Sequence, residues 1–153
     1  MTLSWWPWYR DVLDGLGVRL AAANVTWATD GEGNPWLIEG QQRPAGIGHP
    51  HAMVLQFSKR RDAAESRRGH ELARLETTVA VFEDGDAHRA EQTLRRTVKH
   101  MAAVETAIYD DRSLGGAADY VVIDSADAFE METAVGSELV GSIELTITKE
   151  ADL

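Results

Sequence analysis

At 153 residues the chain has the length of one ordinary domain, and folding buries roughly two-thirds of the surface such a chain exposes, enough for a core without staples. It contains no cysteine, which excludes disulfides, thiol nucleophiles and cysteine-ligated metal sites. A formal net charge of −10 disfavours adhesion to nucleic acid and favours solubility.

No run approaches the ~20 apolar residues of a membrane-spanning helix. The segment Met1–Tyr9 has three tryptophans and a proline but neither the basic start nor the apolar run of a signal peptide. The expectation is a soluble chain made in the cytosol, one domain over 1–153, with no membrane partner. The charge is unevenly placed. Between Ser58 and Arg74, Lys59, Arg60, Arg61, Arg67, Arg68 and Arg74 outweigh Asp62, Glu65 and Glu71 for a net +3, leaving −13 on the rest. Such a strip is either a solvated loop or a patch that pairs with the acidic body of a neighbouring copy.

From Trp5 to Ala23, Tyr9, Val12, Leu13, Leu16 and Leu20 recur at helical spacing and predict one apolar stripe. Ser4 or Pro7 suits its start and Asn24 its end, while Gly15 and Gly17 weaken it. The segment Asn24–Pro50 is glycine-rich and holds three of the four prolines, so it reads as loop with short extended pieces near Val25–Trp27 and Trp36–Ile38. Its length suggests a contact role.

Ala52–Lys59 predicts a strand with Met53, Leu55 and Phe57 on one face. Leu72–Glu83 predicts a second, with Ala73, Leu75, Thr77, Val79 and Val81 opposed to Arg74, Glu76 and Thr78. Together they read as a long antiparallel hairpin whose charged tip projects. Asp84-Gly85-Asp86 is a turn with Asp86 as N-cap. It opens a helix from Ala87 to Tyr109, about 35 Å long, whose stripe runs through Ala90, Leu94, Val98, Met101, Val104 or Glu105, and Ile108. Leu114-Gly115-Gly116 breaks the chain, and Tyr120–Asp124 is a strand. Ser125–Ser137 reads as an acidic connection. Glu138–Lys149 then alternates Leu139, Gly141, Ile143, Leu145 and Ile147 with polar residues, a strand with one wet face. The fold class is α+β: a single antiparallel sheet of about four strands, helices on one face, and the projecting hairpin.

Candidate chemistry is sparse. His49 and His51 flank Pro50, but a metal needs a third and fourth ligand, and none is close in sequence. No serine lies in a nucleophile elbow, and Gly31-Glu32-Gly33-Asn34-Pro35 lacks the lysine and helix of a phosphate loop. Asp124 with Asp127, or Glu130 with Glu132, are carboxylate pairs that fit an acidic surface loop better than acid–base work. No catalytic, metal or cofactor residue is assigned. Trp5, Trp6 and Trp8 cluster at the start of the first helix and Trp27 and Trp36 fall in the long loop, which points to burial of some of them against a partner.

The order strand (Leu75–Phe82), Asp-rich turn, long helix through Ile108, Leu114-Gly-Gly-Ala-Ala-Asp-Tyr-Val-Val-Ile123, and closing strand Leu139–Thr148 resembles the tail terminator (tail completion) proteins of long-tailed bacteriophages. The N-terminal helix, loop and charged hairpin fit the same layout. The resemblance is one of pattern rather than of a signature motif. It implies a virion structural protein, not an enzyme and without cofactor. Such proteins form a hexameric ring on the head-proximal end of the tail tube, stop tube growth and dock the head connector. Implied partners are further copies of the chain, the tail tube protein and the head–tail connector or stopper protein, with DNA passing through the lumen without sequence-specific binding. Assembly would take place in the host cytoplasm. Arg60, Arg61, Arg67 and Arg68 become candidate contacts to a neighbour or the tube, and Asp127, Glu130 and Glu132 a candidate acidic counter-surface or lumen. The alternatives are another neck or head-completion protein, a small α+β ligand-binding or carboxylate enzyme domain, and a DNA-binding module using the basic hairpin.

Overall fold

The computed structural model describes residues 5–28, 50–61, 70–83, 90–133 and 136–152. The first helix, α1 (Trp5–Ala22), carries Pro7 in its first turn, where the missing N–H costs nothing. Its predicted stripe, Tyr9, Val12, Leu13, Leu16 and Leu20, is buried throughout. Asn24 ends it in the left-handed region (φ 60°). Asn24 N–H donates to Ala21 and Val25 N–H to Leu20, while Val25 and Leu20 are both buried. That pattern is a Schellman cap with its usual apolar contact.

The sheet has five strands in the order β1-β2-β3-β5-β4. They are β1 (Thr26–Trp27), β2 (His51–Arg61), β3 (His70–Phe82), β4 (Tyr120–Thr133) and β5 (Gly136–Asp152). β1 pairs parallel with β2, so the sheet is mixed rather than antiparallel and has one strand more than the sequence predicts. β2 and β3 pair antiparallel from His51↔Phe82 to Arg61↔Ala73. Residues 62–69 between them, including Arg67 and Arg68 of the expected tip, lie outside the described residues, as do Trp36–Ile38. The stretch read as an acidic connection is instead strand: β4 continues past Asp124 and pairs with β5 as far as Thr133↔Gly136.

Two bulges correct the predicted faces. Register slips at Leu55 in β2 and at Asp124 in β4. An extra residue inverts side-chain parity beyond it. Phe57 therefore joins Ala52 and Val54 in the main core, whereas Met53 and Leu55 belong to a second cluster with Ala28, Ala80, Phe82 and Val140. His51 also belongs there, fully buried and stacked on Phe82 at 5.2 Å.

The second helix, α2 (Ala90–Asp110), and α1 pack on one sheet face, sharing a core with Leu75, Val79, Val81, Val121, Ile143, Leu145 and Ile147. The stripe expected on α2 is rotated. Thr93, Thr97, Met101, Val104, Ala107 and Ile108 are buried, while Leu94 and Val98 are exposed. Two contacts explain the rotation. A Cβ on Gly141 would sit 2.5 Å from Met101 Sδ and 2.9 Å from Thr97 Cγ2, so the bare glycine admits the helix at that face. Thr97 tolerates burial because its hydroxyl donates to the Thr93 carbonyl (2.8 Å).

After α2 a short 3-10 turn, Leu114–Gly116, drives Leu114 into the core despite its positive φ of 51°. Asp111 organises this turn. Its carboxylate accepts from Ser113 N–H (3.1 Å), Ser113 Oγ (2.6 Å) and Gly115 N–H (2.9 Å). The Ser113 hydroxyl, then the Gly115 amide, hold its pKa below the usual 3.8. Two of the tryptophans make hydrogen bonds within the chain. Trp8 is buried and its indole N–H donates to the Ala117 carbonyl (2.9 Å); Trp27 donates to Leu13 (3.0 Å).

Gly15 touches Leu114 so closely that a Cβ would lie 2.4 Å from the Leu114 carbonyl oxygen, which is backbone and cannot swing aside. Gly15→Ala is expected to destabilise the fold by about 1–3 kcal/mol in urea unfolding, despite alanine's better helix propensity. Asp111, with its pKa depressed on folding, contributes stability that is fully present above pH 3.8 and is lost as pH falls through its lower folded value. Asp111→Asn should therefore flatten that part of the stability–pH curve, measured by thermal unfolding across the acid range.

Candidate assembly surfaces

The described members of the predicted contact set, Arg60 and Arg61 on one side and Asp127, Glu130 and Glu132 on the other, fall at opposite corners of the sheet. Reading across the strands at one end, Arg60 lies opposite Arg74, which lies opposite Thr148, which lies opposite Tyr120. At the other end, Asp127 pairs with Ser142, Glu130 with Leu139 and Glu132 with Ser137. The basic end of β2 and the acidic end of β4 are thus separated both along the strands and across the sheet. Within one chain they do not meet.

At the basic corner Lys59, Arg60 and Arg74 lie within two strand positions of one another. Arg60 is exposed and ion-paired to Glu76, its diagonal neighbour on β3. Without a carboxylate there, Arg60 and Arg74, which face each other directly, would repel. Arg61 closes β2 opposite Ala73. At the acidic corner Asp127 and Glu130 are exposed on a strand, three residues apart, and so point to opposite faces of β4. They line an edge rather than one flat acidic patch.

Both corners expose backbone edges among the described residues. β4 is the terminal strand of the sheet and pairs only with β5. On the far side β1 covers only His51 and Ala52 of β2, which leaves Gln56–Arg61 with β3 as its single described neighbour. Bare edges are templates for another strand, and charge on them governs which strand can approach.

Between the two bulges, on the face away from the helices, lies an open depression of about 380 Å3 lined by Gln56, Glu76, Thr78, Asp124, Glu144 and Thr146, among others. Its carboxylates are engaged: Asp124 accepts from Thr146 Oγ1 (2.5 Å), Glu144 from Ser125 Oγ (2.9 Å), and Glu76 from Arg60. Among the described residues no group of three histidines, aspartates or glutamates is placed to hold a metal ion. His51, one half of the His-Pro-His pair, is a core residue, and His49 lies outside the described residues.

His100 is equally structural. Its Nδ1 sits 2.7 Å from Glu83 Oε2 and 3.0 Å from the Arg96 carbonyl. Sequence reasoning missed this tie between α2 and the end of β3, because nothing in the spacing of Glu83 and His100 announces it. No described helix is long and apolar enough to cross a membrane.

No protein-family model matches this chain, and no curated protein matches it.

Glu76→Gln should cost less than about 1 kcal/mol in denaturant unfolding, as expected of an exposed pair, and the loss should shrink in high salt.

Proposed function

We propose that this chain is a phage tail terminator: a virion structural protein, not an enzyme, that forms a ring on the head-proximal end of the tail tube. The ring stops tube growth and presents the docking surface for the head connector. The observation that carries this reading is the placement of opposite charges at diagonal corners of one sheet, on two strand edges that have no further strand beside them among the described residues. A head-to-tail contact joins unlike patches, and repeating it by rotation closes a ring. Arg60 and Arg61 of β2, with Arg67 and Arg68 of the segment that follows it in sequence, meet Asp127, Glu130 and Glu132 of the next copy. The remaining acidic surface, facing the lumen, lets DNA pass without sticking. The order of elements from β3 through the long helix and Leu114-Gly-Gly turn to β5 is the part of the chain on which the sequence resemblance to that family rests.

The test is to add the purified protein to assembling tail tube protein and image the products by electron microscopy. Tubes of uniform length with ring density at one end are expected, and Arg60→Glu with Arg61→Glu should abolish the ring. Tubes of unchanged length with bare ends would discard the terminator reading.

A further inference from the structure

From Ala126 to Glu130 every residue of β4 is exposed, Phe129 included at 38 %. A strand bare on both faces, with β5 as its single described neighbour, has backbone donors and acceptors to offer a further strand. Antiparallel pairing runs from β2 through β3 and β5 to β4, so β2 and β4 run in opposite directions. A head-to-tail repeat that continues the sheet keeps the direction and the face of every strand. It lays the β4 edge of one copy antiparallel to the Gln56–Arg61 edge of the next.

Side-chain parity then restricts the register. Asp127 pairs with Ser142 and Ser142 with Ala80, while Arg60 pairs with Arg74, which shares the Ala80 face of β3. Asp127 and Arg60 therefore both point away from the helices. Lys59, paired with the core residue Leu75, points to the helix face, as does Glu130. Opposed residues share a face, so Asp127 can stand opposite Gln56, Ser58 or Arg60 but not opposite Phe57 or Lys59. With Asp127 opposite Arg60, Phe129 stands opposite Ser58, and Glu130 lies diagonal to Lys59, a separation that long side chains bridge. Sliding the strands by one repeat of the pleat sets Asp127 opposite Ser58 in one direction and carries it past the end of β2 in the other. Arg60 already holds Glu76 on its β3 side, and its guanidinium has N–H donors to spare for a second carboxylate on its edge side. We propose that copies join by strand addition: the β4 edge of one chain takes the β2 edge of the next as an antiparallel strand in this register, making one sheet across the junction. This rests on the ring reading and adds to it a direction, a register and backbone hydrogen bonds.

The chain has no cysteine, so a disulfide trap has a clean background. Residues directly opposed in antiparallel strands have Cα atoms about 4.5–5.5 Å apart, a distance that a disulfide spans. The full chain carrying Ser58→Cys and Phe129→Cys is added to assembling tail tube protein, oxidised and run on a non-reducing gel. A ladder of covalent multimers is expected, about tenfold or more above the yield from Ser58→Cys with Ala128→Cys, whose side chains point to opposite faces. Hydrogen exchange of the wild-type assembly gives a second reading that needs no substitution. The edge-facing amides of Ala126–Glu130 are expected to slow by about tenfold or more on assembly. A ring at the tube end with no ladder and unchanged exchange would overturn strand addition and leave the ring reading standing. Equal ladders from both cysteine pairs would overturn it too, and the absence of any ring would remove both.

Discussion

The turn at Asp111–Asp119 is the point on which the rest of the architecture bears. Leu114 enters the core in a backbone conformation that disfavours side chains, and it is held there from every side. Gly15 of α1 rests on its carbonyl, and Trp8 of α1 caps the Ala117 carbonyl. Asp119 N–H donates to Thr148 to start β4 against β5, while the Asp119 carboxylate accepts from Glu150 N–H. One short segment thus fixes the end of α2, the height of α1 and the register of the edge strand. A locally unfavourable φ persists only where surroundings over-determine it, as these contacts do.

Much of this was legible in the sequence wherever burial imposed a period. The α1 stripe and its Asn24 cap, and the alternation of β5, are written by one buried face and one wet face. What escaped lies where that period is absent or interrupted. From Ala126 to Glu130 β4 is exposed on both faces and held by backbone pairing to β5, so it leaves no apolar rhythm there. The bulge at Leu55 inverts parity midway along β2, so reading Met53, Leu55 and Phe57 as one face joins residues from two clusters. The α2 stripe failed for a long-range reason: the space that admits Thr97 and Met101 is created by Gly141, forty residues away. Likewise nothing in the sequence around Asp111 announces its role, which emerges only from the three donors that the turn gathers around its carboxylate.

The candidate contact residues were named from charge alone, and their arrangement adds a direction to that charge. Arg60 and Arg61 end one strand, Asp127, Glu130 and Glu132 end another, and the sheet between them acts as a rigid spacer. Both ends border strand edges, so charge and backbone hydrogen bonding operate in the same place.

The sheet order also has a consequence for how the chain comes to be folded. β3 and β4 are not paired with each other; each is joined to the sheet's other half only through β5, which follows both in sequence. During synthesis β3 can find β2, but β4 has no described strand to pair with until β5 leaves the ribosome. The two helices would meanwhile face an incomplete sheet, their apolar sides waiting for Ile143, Leu145 and Ile147. Native structure therefore closes late and over long sequence separations, which slows folding and exposes the intermediate to self-association. A chain interrupted before β5 would lose not one edge strand but the piece that makes the other strands a single sheet.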